Sequence, residues 1–162
     1  ILGILAVTAA PKFLDLTTDA HKSTVKGLAG GLLTSIQLAK GKGKIDGMVD
    51  TTAFTTETTA SESVSYEGST IYFDLGEVAA YADNINALME IDALTTRAAT
   101  TTDVTNDFAI VQNNTTDNTA TEVRIYPGSL VKDSINGTFD AAATCYVSVT
   151  DAGVVTTSLT AC

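Results

Sequence analysis

The chain opens ILGILAVTAAPKFLDL, and no other stretch constrains its fold as much. Eight of the first ten residues are aliphatic or alanine. That run is about half of the ~20 apolar residues a membrane-spanning helix needs. Gly3 lies inside it and Pro11 closes it. Proline has no N–H, so the Val7 carbonyl loses its helical partner, and the ring crowds the same carbonyl, at ~3 kcal/mol in a helix interior. Ala10 is biased toward extended backbone. Beyond the proline, residues 12–40 read as helix. Val25, Leu28, Leu32, Ile36 and Ala39 form a stripe along one helical face. Gly27, Gly30 and Gly31 weaken that helix by up to ~1 kcal/mol each, and they let another helix come close. Gly41 and Gly43 read as its end. With residues 1–10 the helix reaches about 58 Å at ~1.5 Å per residue. That exceeds the width of a small domain, so part of it must protrude.

The net charge of −10 over 162 residues is unevenly divided. Residues 1–44 carry six lysines against Asp15 and Asp19, a balance of +4. Residues 45–162 carry three basic residues against seventeen acidic ones, a balance of −14. A basic stem is thus joined to an acidic body. The body argues against nucleic acid as the main ligand, because phosphate binding needs a basic face. An acidic surface also keeps copies dispersed.

The length fits one domain, or one domain plus an extended element. Residues 41–106 form a Thr-rich loop region in which residues 69–75 alternate as a strand and residues 77–91 show helical spacing through Val78, Tyr81, Ile85, Leu88 and Met89. Residues 92–106 read as loop. Residues 107–162 are rich in β-branched alternation, with strands expected at 108–112, 122–126, 144–150 and 154–159. Asp151-Ala152-Gly153 is a hairpin turn candidate, and Pro127-Gly128 and Asn136-Gly137 punctuate the earlier connections. The expected architecture is α+β, a long N-terminal helix (residues 1–40) packed on a C-terminal antiparallel sheet.

No constellation for catalysis emerges, and the chain reads as a non-enzyme without cofactor. His21 has no triad around it and no Gly-x-Ser-x-Gly elbow occurs. Gly41-Lys42-Gly43-Lys44 lacks the spacing of a phosphate loop and reads as a helix end with solvated lysines. Asp103/Asp107 and Glu90/Asp92 are carboxylate pairs without EF-hand spacing. Asn-x-Thr sequons occur at residues 113–116 and 136–138, and the Thr clusters are candidates for O-linked sugars. Cys145 and Cys162 are too few for a zinc site, and an even count points to an oxidising compartment.

ILGILAVTAAPKFL resembles, almost letter for letter, the N-terminal helix of type IV pilins, closest to the mannose-sensitive haemagglutinin pilins of marine Gram-negative bacteria. CYVSVT with the terminal Cys162 resembles the disulfide-bounded region of the same group. The middle of the chain agrees only in layout. The resemblance implies the type IV pilin fold and a Cys145–Cys162 bond. Two free thiols, or a bridge from Cys162 to a neighbouring subunit, are the rival pairings. It implies that Ile1, Leu2, Gly3, Ile4, Leu5, Val7, Phe13 and Leu14 pack between subunits. Gly3 and Pro11 would then bound a stretch that loses helix in the filament. Family members carry a further apolar run with a glutamate ahead of this segment. Relative to that pattern the N-terminus is truncated, and no residue here takes the glutamate's role.

The implied function is a major pilin, a fimbrial subunit for adhesion and surface colonisation. It would sit in the inner membrane before assembly and in a surface pilus afterwards. Its partners would be copies of itself, the inner-membrane pilus assembly machinery, and host or surface glycans. Two alternatives stand beside it. One is a major pseudopilin of a type II secretion system. The other is a minor pilin with a DNA- or glycan-binding tip, for which Tyr66, Tyr72, Tyr81 and Tyr146 are the available aromatics.

Overall fold

The computed structural model describes residues 2–48, 53–54, 62–96, 103–114, 120–131, 135, 139, 143–160 and 162, with backbone alone for residues 2–15. Helix α1 spans Leu2–Ile45 without interruption, through both Gly3 and Pro11. The break expected at those two residues belongs to an assembled filament, a state that a single chain does not test. At the other end the helix runs five residues past the expected boundary. The true stop is Gly47, whose φ of 84° is the left-handed conformation a helix terminator needs. Met48 N–H donates to Gly43 O at 2.9 Å and Gly47 N–H to Lys44 O at 3.3 Å, the paired bonds of a Schellman end.

Gly41 and Gly43 therefore lie inside the last turns of α1, and Gly43 serves packing. A Cβ there would come within 2.8 Å of the buried Phe73 ring. At Gly27 and Gly30 a Cβ would meet nothing within 4 Å. Gly43→Ala is therefore expected to lower stability by ~1–3 kcal/mol through overpacking. Gly27→Ala and Gly30→Ala should raise monomer stability by up to ~1 kcal/mol. Urea denaturation of the three variants checks this, and a stabilised Gly43→Ala would contradict the packing.

Strands β1 (Ser63–Tyr66), β2 (Ser69–Asp74) and β3 (Glu77–Val78) form an antiparallel meander. Its two-residue turns, Glu67-Gly68 and Leu75-Gly76, have positive φ at both positions, the mirror-image turns whose twist suits hairpins. Helix α2 (Ala82–Met89) follows. A five-stranded sheet then runs in the order β4 (Ala93–Thr96), β5 (Phe108–Gln112), β6 (Glu122–Pro127), β7 (Cys145–Thr150), β8 (Val155–Leu159). The β4–β5 pair is parallel and the other three pairs are antiparallel.

The α+β expectation holds, with corrections. The sheet is mixed, not antiparallel. Residues 93–96 form a strand inside the expected loop, and residues 77–78 pair with β2 instead of opening a helix. The meander is a second sheet. The turn through Asp151, Ala152 and Gly153 forms as expected, with Gly153 at φ 70° and its N–H donating to Thr150 O.

Alternation splits the large sheet between two cores. Ile110, Val123, Ile125, Val147 and Val149 face the side covered by α1 and α2, in one cluster with Ile85 and Leu88 of α2 and with Val25, Leu32, Ile36 and Ala39 of α1. That is the stripe read in the sequence, with Leu28 half-buried beside it. Ala109, Val111 and Tyr126 face the opposite side and pack with Val104, Val131 and Ile135. Gly31 does admit another helix. Met89 Cε of α2 lies 3.6 Å from where its Cβ would be.

Candidate functional site

At ~100° per residue, the face of α1 opposite Val25, Leu32 and Ile36 presents Leu16, Ala20, Ser23, Gly27, Gly30, Thr34, Leu38, Gly41 and Ile45. All nine are exposed. Leu16, Leu38 and Ile45 expose 64%, 58% and 85% of their surface. The face carries no charge over thirty residues, whereas the flanks of the same helix carry Asp19, Lys22, Lys26, Lys40 and Lys44. Its Thr34 hydroxyl, and that of Thr24 beside it, bond backward to Gly30 O (2.9 Å) and Ala20 O (3.0 Å). Both hydroxyls are satisfied within the helix, so covering them with apolar surface leaves no threonine donor unmade. No residue between 16 and 24 is buried.

Side chains of the expected packing residues Leu2, Gly3, Ile4, Leu5, Val7, Phe13 and Leu14 lie outside the described set, as does Ile1 altogether. Among the described residues no helix is long and apolar enough to cross a membrane.

The two cysteines are bonded to each other within the chain, with Cα atoms 4.9 Å apart, and no cysteine is free. Cys145, at the start of β7, is buried in the core beneath α1, and Cys162 packs against the same cluster. The bond thus lies under the stem, fastening Cys162 to the sheet that the stem covers.

The remaining candidates resolve into structural roles. Lys42 pairs with Asp46 one turn later at 3.1 Å, and Lys40 Nζ reaches Glu77 Oε1 at 2.6 Å. The Gly41-Lys42-Gly43-Lys44 segment is thus helix interior. Asp92 accepts from Asn106 Nδ2 at 2.6 Å and from Asp107 N–H at 3.4 Å, so this carboxylate braces a loop. Asn113 donates to Thr121 Oγ1 and accepts from the N–H groups of Thr121 and Glu122, which ties its amide into the β5–β6 connection. The second sequon lies outside the described residues. Among those described, no group of three or more His, Cys, Asp and Glu could hold a metal.

The tyrosines serve packing. Tyr81 is buried against Phe54 and Tyr72. Tyr146 lies beside Tyr126 and under Arg124, whose guanidinium carbon sits 3.9 Å from the Phe139 ring centre and 4.3 Å from that of Tyr146. Burial works against the Arg124 charge. Its bonds to Glu122 and Tyr126 outweigh that and raise its pKa above the ordinary value. The period-two spacing of Glu122, Arg124 and Tyr126 carried the signal for this cluster.

Compared with family models, curated proteins and solved structures, the chain matches none.

Proposed function

We propose that the chain is the major structural subunit of a type IV pilus, a pilin that polymerises into a surface filament for adhesion and colonisation. The observation that carries this reading is the uncharged, small-residue face of α1, from Leu16 to Ile45, opposite the face committed to the head. Covering it with apolar surface is worth ~25 cal/mol per Å². Its glycines leave open space into which a neighbouring helix backbone fits. The sequence resemblance of residues 1–14 and of the C-terminal cysteines supports the same reading. Before assembly the apolar start would sit in the inner membrane. A major pseudopilin of a type II secretion system is the second reading. Those proteins generally close their C-terminal region around calcium, where this chain has a disulfide.

Electron microscopy of the native material tests the proposal. Long filaments are expected, with residues 1–16 buried between subunits and non-helical backbone within residues 3–10. Lipid cannot satisfy freed carbonyls, so that stretch should melt only once packed in protein. Deleting residues 1–16 should leave a soluble monomer. Short isolated rods would favour the pseudopilin. Ile4, Leu5 and Val7 facing solvent in an assembled structure would overturn the core arrangement, and a map with continuous helix through Phe13 would overturn the melting.

A further inference from the structure

A groove of about 270 Å³ lies between the β2–β3 turn and the β7–β8 turn, lined by Asp74, Leu75, Glu77, Asp151 and Ala152. It is at the lower limit for a small-molecule pocket, ~300 Å³ and upward, and is closer to the scale of one inserted side chain. It is open to solvent, and its acidic rim surrounds Leu75 and Ala152. Leu75 is 53% exposed, and Val154, in the turn that bounds the groove, is 51% exposed. Three carboxylates rim it, with Asp74 Oδ1 accepting from Phe54 N–H at 2.8 Å and Glu77 Oε1 engaged by Lys40. Glu77 is thus already committed: Lys40 holds Oε1, and Oε2 is sealed from solvent against Gly153.

The complementary surface is on the same molecule. Lys22, Lys26 and Leu33 fall on one side of α1 at ~100° per residue, with Asp19 at the strip's N-terminal end. Neither lysine has an ion-pair partner among the described residues, and Leu33 is exposed. The strip cannot reach its own groove. The contact between Lys40 and Glu77 fixes the groove's level on the stem. Lys26 and Lys22 lie fourteen and eighteen residues earlier, about 21 and 27 Å away at ~1.5 Å per residue.

We infer that the groove receives the Lys22–Lys26 side of α1 from a second copy of this chain, a lysine stem lying on Leu75 and Ala152 with its ammonium between Asp74 and Asp151. The inference rests on the polymerising role proposed above and specifies one of its contacts. The two surfaces differ, so the contact is head-to-tail, and such contacts make either rings or open filaments. An axial step of 20 Å or more per contact, by the ~1.5 Å rise of the helix, selects the open filament.

The test uses the full chain. Light and heavy isotopic forms are mixed, polymerised and treated with a carbodiimide, which joins amines to carboxylates in direct contact. Peptides joining Lys22 or Lys26 of one form to Asp74 or Asp151 of the other are expected. Asp151→Lys, and separately Lys22→Glu with Lys26→Glu, should each raise the concentration needed for polymerisation tenfold or more. Combining the two reversals should restore it to within threefold, with monomer melting temperatures unchanged. Filaments that form normally with Asp151→Lys, a combination no better than its parents, or inter-chain links found only elsewhere overturn the contact and leave the filament reading intact. A wild-type chain that stays monomeric overturns both.

Discussion

Serine in place of Cys162 is expected to lower the unfolding free energy by about 3 kcal/mol, the chain-entropy value for a loop of this size, and the melting temperature by roughly 6–12 °C. The bond closes the β7–β8 hairpin, in which Cys145 already faces Leu159. Without it nothing covalent holds Cys162 and the edge strand β8 to β7. The two cysteines should not respond alike. Cys145 is buried under α1, so Cys145→Ser also places a hydroxyl in apolar surroundings, adding ~1–3 kcal/mol if it finds no partner. Thermal melts of both variants, with and without reductant, check the order. A Cys162→Ser protein as stable as the oxidised wild type would contradict the account. Mass spectrometry of unreduced protein should find the bond within single chains.

The second large effect is expected at Asn84, which is buried on α2. Its Oδ1 accepts from Tyr72 N–H at 3.0 Å, and its Nδ2 donates to Tyr72 O at 2.8 Å and Ala79 O at 3.1 Å. The side-chain amide thus acts as a short length of strand, pairing with β2 and holding α2 on the meander. Asn84→Ala leaves the Tyr72 N–H unpaired and strips a donor from Ala79 O. At ~1–3 kcal/mol per buried unsatisfied group, the loss should be ~2–5 kcal/mol by chemical denaturation. Asn84→Asp makes a sharper test. A carboxylate there faces two carbonyl oxygens and cannot donate, whereas the protonated acid donates once. Burial and those carbonyls raise the folded-state pKa above the unfolded one. The folded state then holds the proton more tightly, and stability falls as pH rises above about 4. Equal losses at pH 3 and pH 7 would show that the donor function of Asn84 does not matter.

The sequence was most legible where one periodicity ran long. The Val25, Leu32, Ile36 and Ala39 stripe and four strands of the large sheet stand within a residue of where alternation placed them. Glycine misled at the stem's end. Gly43 carries the same local signal as a terminator, yet what selects it is a ring from β2, thirty residues away, against its backbone. Only Gly47 has the left-handed backbone. The meander was half hidden because its turns use Glu-Gly and Leu-Gly in place of the Asn-Gly or Asp-Gly pairs that announce such hairpins. Strand β4 has four residues, and its pairing depends on β5 beyond a long connection, which no local pattern reports. The groove joins two turns about seventy-five residues apart and could not be read from either. The stem's outward face was legible only as the complement of its buried stripe.

The first helix and the last hairpin share one core: α1 packs on β7 and β8, the final strands of the chain. Loop closure over more than a hundred residues must precede that contact, and such topologies fold slowly compared with helical bundles. A chain emerging N-terminus first carries Val25, Leu32, Ile36 and Ala39 without their floor until β7 and β8 have been made. Premature termination anywhere before β7 would therefore release a long amphipathic helix with its inner face bare, a species prone to aggregation and an early target for quality-control proteolysis.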